Sequence, residues 1–143
     1  MRRVLLDTSG LIAVSFRTEA AHAAARRQMT ALAAARARFV MHQGITIELL
    51  ETLASVNLRH EALRILDSLQ QDAAAGNLEV YELSGALVDR GLLLFRSRPD
   101  QEWGLTDCIS FVLMRELQLS EAFTLDHHFE QAGFVRLIHG ERR

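Results

Sequence analysis

A chain of 143 residues, 49 % of them apolar, is long enough to bury one core, and a single domain spanning residues 1–143 is expected. Sixteen basic side chains, all arginine, oppose eighteen acids; the net charge of −2 argues against a protein that coats its surface with nucleic acid, and the lone Cys108 excludes a disulfide framework and a cysteine-cluster metal site. No apolar run reaches eighteen residues and no signal-peptide pattern follows Met1, so the expectation is a cytoplasmic protein with no membrane partner.

Val4-Leu5-Leu6 is short and wholly apolar, the pattern of a parallel strand buried on both faces, and it ends at Asp7-Thr8-Ser9-Gly10, a turn able to open a helix. Glu19 to Arg36 reads as a long alanine-rich helix. Phe39-Val40-Met41 reads as a second strand, and Ile45 to Val56 as a helix with Leu49, Leu50, Leu53 and Val56 on one stripe. Glu61 to Ala75 is a further helix stopped by Gly76-Asn77, and Leu78 to Glu82 alternates like a less buried strand. Ser84 caps a helix running to Arg98, Asp100 to Gly104 is loop, and Thr106 caps an apolar helix from Asp107 to Leu117. Ala122-Phe123-Thr124-Leu125 is a strand ending at Asp126, and Val135-Arg136-Leu137 is a last, edge strand. Strands alternating with helices predict an α/β fold with a mainly parallel sheet covered on both faces, in which ligands bind outside the carboxyl ends of the strands.

That rule makes the acids informative. Asp7 and Asp126 each follow a strand, Asp107 stands in the first turn of a helix, whose dipole favours a carboxylate, and Glu51 lies among apolar neighbours on the helix after the second strand. Each has an ordinary explanation: Asp7 as a helix cap, Asp107 as a first-turn acid, Asp126 as a turn residue, Glu51 as a solvated residue whose neighbour Glu48 competes for its role. Together they describe four acids converging on one edge. Clustered carboxylates repel and raise one another's pKa, and a divalent cation is the usual compensation. All-oxygen ligation selects Mg²⁺ or Mn²⁺, ions that promote in-line phosphodiester hydrolysis without a covalent nucleophile.

These residues carry a family resemblance. Val4-Leu5-Leu6-Asp7-Thr8-Ser9 resembles the opening of a PIN domain, Glu51-Thr52-Leu53 its second acidic motif, Trp103 to Phe111 its third, and Thr124-Leu125-Asp126-His127-His128-Phe129 with the following Glu130 to Phe134 its fourth. The likeness implies a three-layer α/β/α sandwich and a Mg²⁺- or Mn²⁺-dependent endoribonuclease. At this size it is similar to VapC-like toxins of bacterial type II toxin–antitoxin pairs, which implies an RNA substrate, a cognate antitoxin protein and a homodimer. By the same likeness Asp7, Glu51, Asp107 and Asp126 form the catalytic and metal-binding quartet. Thr8, Ser9 and Thr106 would support it by hydrogen bonds; the family often has serine where Gly104 stands, leaving Thr106 as the nearer hydroxyl. Alternatives are a noncatalytic RNA- or partner-binding module of this fold and a stand-alone nuclease without an antitoxin.

Among the remaining residues, His128 is read as a structural hydrogen-bonder, His127 as exposed and Cys108 as a small buried hydrophobe. Residues 1–38 hold seven arginines and two acids, and residues 39–143 nine arginines and sixteen acids. Arg26, Arg27, Arg36 and Arg38 are candidates for RNA phosphates, against the plainer reading of a solvated helix face. Trp103 is a candidate for base stacking, against the plainer reading of a loop anchor. A haloacid-dehalogenase-like phosphatase would need an aspartate where Ser9 stands, and a phosphate-receiver domain would need a lysine, of which there is none.

Overall fold

The computed structural model describes residues 1–140; the last three residues of the expected 1–143 domain lie outside the described residues. The chain alternates strongly. β1 (Arg3–Leu6) leads to α1 (Thr8–Ser15) and α2 (His22–Ala34), then β2 (Arg38–His42), α3 (Gln43–Thr52), α4 (Arg59–Ala74) and β3 (Leu78–Tyr81). There follow α5 (Gly85–Ser97), α6 (Leu105–Glu116), β4 (Glu121–Phe123), α7 (His128–Gln131) and β5 (Val135–Arg136). The five strands form one sheet in the order β3-β2-β1-β4-β5, and every pairing is parallel. The result is the expected α/β/α sandwich, with a sheet that is wholly parallel among the described residues.

The centre of the sheet follows from its sequence. Val4, Leu5 and Leu6 of β1 have no polar side chain to expose and are covered on both faces, at 4 % exposure or less. β1 is flanked by β2 on one side and β4 on the other, so the chain reverses direction across the sheet beside β1. Such a switch opens a crevice at the carboxyl ends of the two flanking strands. α1 approaches this crevice very closely. A Cβ on Gly10 would lie 2.1 Å from the carbonyl oxygen of Phe123, so only glycine lets the start of α1 lie against the end of β4.

One aromatic cluster locks the far half of the sandwich. Phe111, fully buried on α6, packs edge-on against Trp103 at 5.1 Å and Phe129 at 4.9 Å, and Phe134 lies at 5.7 Å. Phe111→Ala is expected to cost about 3–5 kcal/mol, through lost transfer energy and the cavity left among three rings. Denaturant unfolding checks this by the shift in midpoint.

Several boundaries differ from expectation for local reasons. α2 begins at His22; residues 19–21 are turns that close with Glu19 N–H to Phe16 O and His22 N–H to Glu19 O. α3 begins two residues earlier than the apolar stripe, at Gln43, because the His42 side chain caps it, and ends at Thr52 before Val56. Gly104, not Thr106, is the N-cap of α6, which starts at Leu105. β4 ends at Phe123, three residues before Asp126, and the short α7 was not expected. Ser84 does cap α5, accepting from Leu87 N–H at 3.1 Å. Among the described residues no helix is long and apolar enough to cross a membrane.

Candidate functional site

The end of β1 delivers Asp7 into the crevice as the residue before α1. Its side chain makes no capping hydrogen bond to that helix. Thr124 Oγ1 instead donates to Asp7 Oδ2 at 2.7 Å, and Ser9 Oγ lies 3.2 Å from the same oxygen. Ser9 Oγ also lies 3.0 Å from Thr124 Oγ1 and accepts the Leu125 N–H at 3.0 Å. Thr124 Oγ1 accepts the Asp126 N–H at 3.0 Å. Two hydroxyls therefore tie the first acidic motif to the fourth. Both side-chain contacts fall on Oδ2, so one oxygen of the carboxylate is spoken for while Asp7 itself is only 4 % exposed.

Asp107 is in the first turn of α6, and Asp126 lies between β4 and α7. His128 joins them. Its Nδ1 lies 3.2 Å from Asp107 Oδ2 and 3.3 Å from Asp126 Oδ1, and its backbone N–H donates to Asp126 Oδ1 at 3.0 Å. The ring is thus a bridge between two acids, as expected of a structural hydrogen-bonder. His127 is exposed, as expected. The ligand atoms of Asp126, His127 and His128 lie within 4.8 Å of one another, the metal-compatible group of His, Cys and acidic side chains among the described residues.

The electrostatics show that the acids share one environment. Burial pushes the Asp7 carboxyl up to about 7; the Thr124 hydrogen bond opposes this, and the charges of Asp107, Glu48 and Asp126 add to it. Burial pushes Asp107 up to about 6, with Asp126 and Glu48 adding and His128 opposing. Desolvation and mutual repulsion both disfavour the ionised forms, and a cation reverses both. Asp7, Asp107, Asp126 and Glu48 act on one another through their charges; oxygen donors of this kind suit a hard divalent cation, and the His128 nitrogen beside Asp107 and Asp126 is already turned to those two carboxylates.

The glutamate of this group is Glu48, not the expected Glu51. Glu48 is half-buried and acts on both Asp7 and Asp107; Glu51 is exposed and is not among the charges acting on either. Three residues on a helix turn by roughly 300°, so the two face about 60° apart. Thr124 stands in the fourth motif and in the expected strand but was given no role in the site; its position two residues before Asp126 is the signal that marks it. Of the expected supporting residues, Ser9 and His128 make the contacts described. Thr8 is buried, but its Oγ1 has no partner among the described residues, and Thr106 is half-buried at the start of α6.

The RNA-contact candidates do not gather at this site. Trp103 is 3 % exposed, donates from Nε1 to Gln131 at 3.1 Å and carries Arg98 over its ring at 5.0 Å, so it anchors the loop before α6 and offers no face to a base. Arg36 and Arg38 stand at the start of β2, the opposite end of the strands from the acids, and Arg38 donates to Gly76 O at 2.7 Å. Arg26 and Arg27 are exposed on α2, nearer its first turn.

A family described as PIN domain matches residues 4–135. Among solved structures, VapC20 of Mycobacterium tuberculosis, described as a Sarcin-Ricin loop cleaving toxin, superposes with a TM-score of 0.80 at 20 % identity, over 95 % of this chain and 99 % of that one; the likeness is one of fold. No curated protein matches by sequence.

Proposed function

The chain belongs to the PIN-domain family, and from that premise we propose that it is a divalent-cation-dependent endoribonuclease and the toxin of a toxin–antitoxin pair, one domain acting in the cytoplasm. The observation that carries this reading is the shared environment of Asp7, Glu48, Asp107 and Asp126 at the carboxyl edge of the sheet. Asp7, Asp107 and Asp126 hold the ion, with Glu48 in place of Glu51 completing the set directly or through water. Bound Mg²⁺ or Mn²⁺ supplies Lewis acidity toward a phosphate and a water. Ser9 and Thr124 fix the rotamer of Asp7, and His128 keeps Asp107 beside Asp126. Hydrolysis adds one water across the P–O3′ bond and leaves a 5′-phosphate and a 3′-hydroxyl.

A groove of about 390 Å³ between α1, α2 and α4, walled by Leu11, Val14, Met29, Ile65 and Leu69, supports an antitoxin partner. Its rim carries Glu61, Arg64 and Asp72, so a helix with an apolar face and mixed flanking charge fits it. Exposed Ile47 and Leu63, on α3 and α4, support a homodimer.

The test is incubation of the purified chain with a pool of transfer and ribosomal RNA, with Mg²⁺ or Mn²⁺ and with EDTA. Cleavage to 5′-phosphate ends that EDTA abolishes is expected. A folded, antitoxin-free sample that leaves every RNA intact favours the noncatalytic module.

A further inference from the structure

We propose that His42 and Ser110 form a clamp between α3 and α6 that sets the distance from Glu48 to Asp107 and thereby the affinity of the acidic cluster for a divalent cation. The inference rests on the cation-site reading and names positioning residues for it.

His42 is the last residue of β2 and is fully buried. Its Nδ1 accepts the Gly44 N–H at 3.1 Å and caps α3. A backbone N–H can only donate, so Nδ1 is the bare nitrogen and the ring proton sits on Nε2. That proton faces Ser110 Oγ at 2.9 Å, on the neighbouring helix. Burial holds the ring far below its usual range, at about 4, so the clamp is neutral and adds no positive charge beside the acids.

The bridge stands one turn from the acids on both helices. Gly44 and Glu48 are four residues apart on α3, and Asp107 and Ser110 three apart on α6, spacings that put each pair on one face. Serine, threonine or asparagine would cap α3 at least as well. None of them combines a cap with the reach to a second helix, which is what the imidazole adds. The local backbone is built around it: a Cβ on Gly44 would lie 2.8 Å from both Nδ1 and Cε1 of His42. Any shift of α3 against α6 changes the separation of the carboxylates they carry, and outer-shell hydrogen bonds of this kind are what tune a metal site.

The test measures Mn²⁺ affinity of the full chain by calorimetry, beside the melting temperature in EDTA. His42→Asn keeps an acceptor for Gly44 N–H and loses the reach to Ser110; Ser110→Ala removes the other end. Each is expected to weaken Mn²⁺ binding by about tenfold, and the double variant no further than either alone, because one bridge is broken in all three. Wild type and Asp107→Asn bracket the scale. Unchanged affinity in folded single variants, or losses that add in the double variant, overturns the clamp and leaves the cation site standing. A wild-type chain that binds no Mn²⁺ overturns the cation site and the clamp with it. If His42→Asn does not fold, Ser110→Ala decides the question alone.

Discussion

Asp7→Asn is expected to abolish RNA cleavage and, in the same protein freed of metal, to raise stability at pH 8. Cleavage falls by roughly 10³-fold or more because a cation ligand at the centre of the crevice is lost. The gain in stability follows from the titration of Asp7, near 7 when folded and near 3.8 when exposed. Above pH 7 both states carry the charge, and the folded state alone bears its desolvation and the repulsion of Asp107, Glu48 and Asp126. As the pH falls from 7 towards 4 the folded state takes up its proton first, so the metal-free wild type becomes more stable. Asparagine keeps an acceptor for Thr124 and Ser9 and carries no charge, so the variant starts from the relieved state. A pKa about three higher in the folded than in the unfolded chain corresponds to about 4 kcal/mol; a gain of about 2–4 kcal/mol at pH 8 is expected, vanishing near pH 4. Denaturant melts in EDTA at the two pH values check the stability, and cleavage assays in Mn²⁺ check the activity. A variant that is both inactive and destabilised at pH 8 would place Asp7 among ordinary structural acids.

The second large effect separates two glutamates. Glu48→Gln is expected to lower the cleavage rate by about 10²-fold and to weaken Mn²⁺ binding. Glu51→Gln should leave both within about twofold, as surface substitutions do. The removal of the Glu48 charge also relieves Asp7 and Asp107, so their protonation in the metal-free chain moves to lower pH. Single-turnover rates over a Mn²⁺ series distinguish a loss of affinity from a loss of rate. The reverse ranking, with Glu51 essential and Glu48 dispensable, would mean that α3 is turned by about 60° from the arrangement described.

The alternation of strands and helices, the parallel sheet and the places of Asp7, Asp107 and Asp126 were legible because they rest on features that do not depend on exact register. An apolar run ending in aspartate places that aspartate at a strand end wherever the strand begins, and this held for Asp7. The glutamate did not have this protection. Choosing between positions 48 and 51 requires the rotation of α3, which depends on where the helix starts, and the start is set by a histidine cap, a residue not expected in that role. The same dependence on long-range partners hid Thr124, whose value lies in a contact with Asp7, 117 positions earlier in the chain. The places of Trp103 and Arg38 were hidden for a related reason. Composition gives no account of depth or of which end of a strand a residue occupies, and one proved buried while the other stands at the far edge of the sheet.

If these raised carboxyls are the cation site, metal binding must displace their protons. Titrating Mn²⁺ into the metal-free chain, in buffers of different ionisation enthalpy, counts the protons displaced. Asp7 near 7 and Asp107 near 6 together hold about one proton at pH 6.5 and almost none at pH 8.5. Binding that releases about one proton at the lower pH and almost none at the higher is the predicted result. No binding, or binding at pH 6.5 with no proton released, would contradict it.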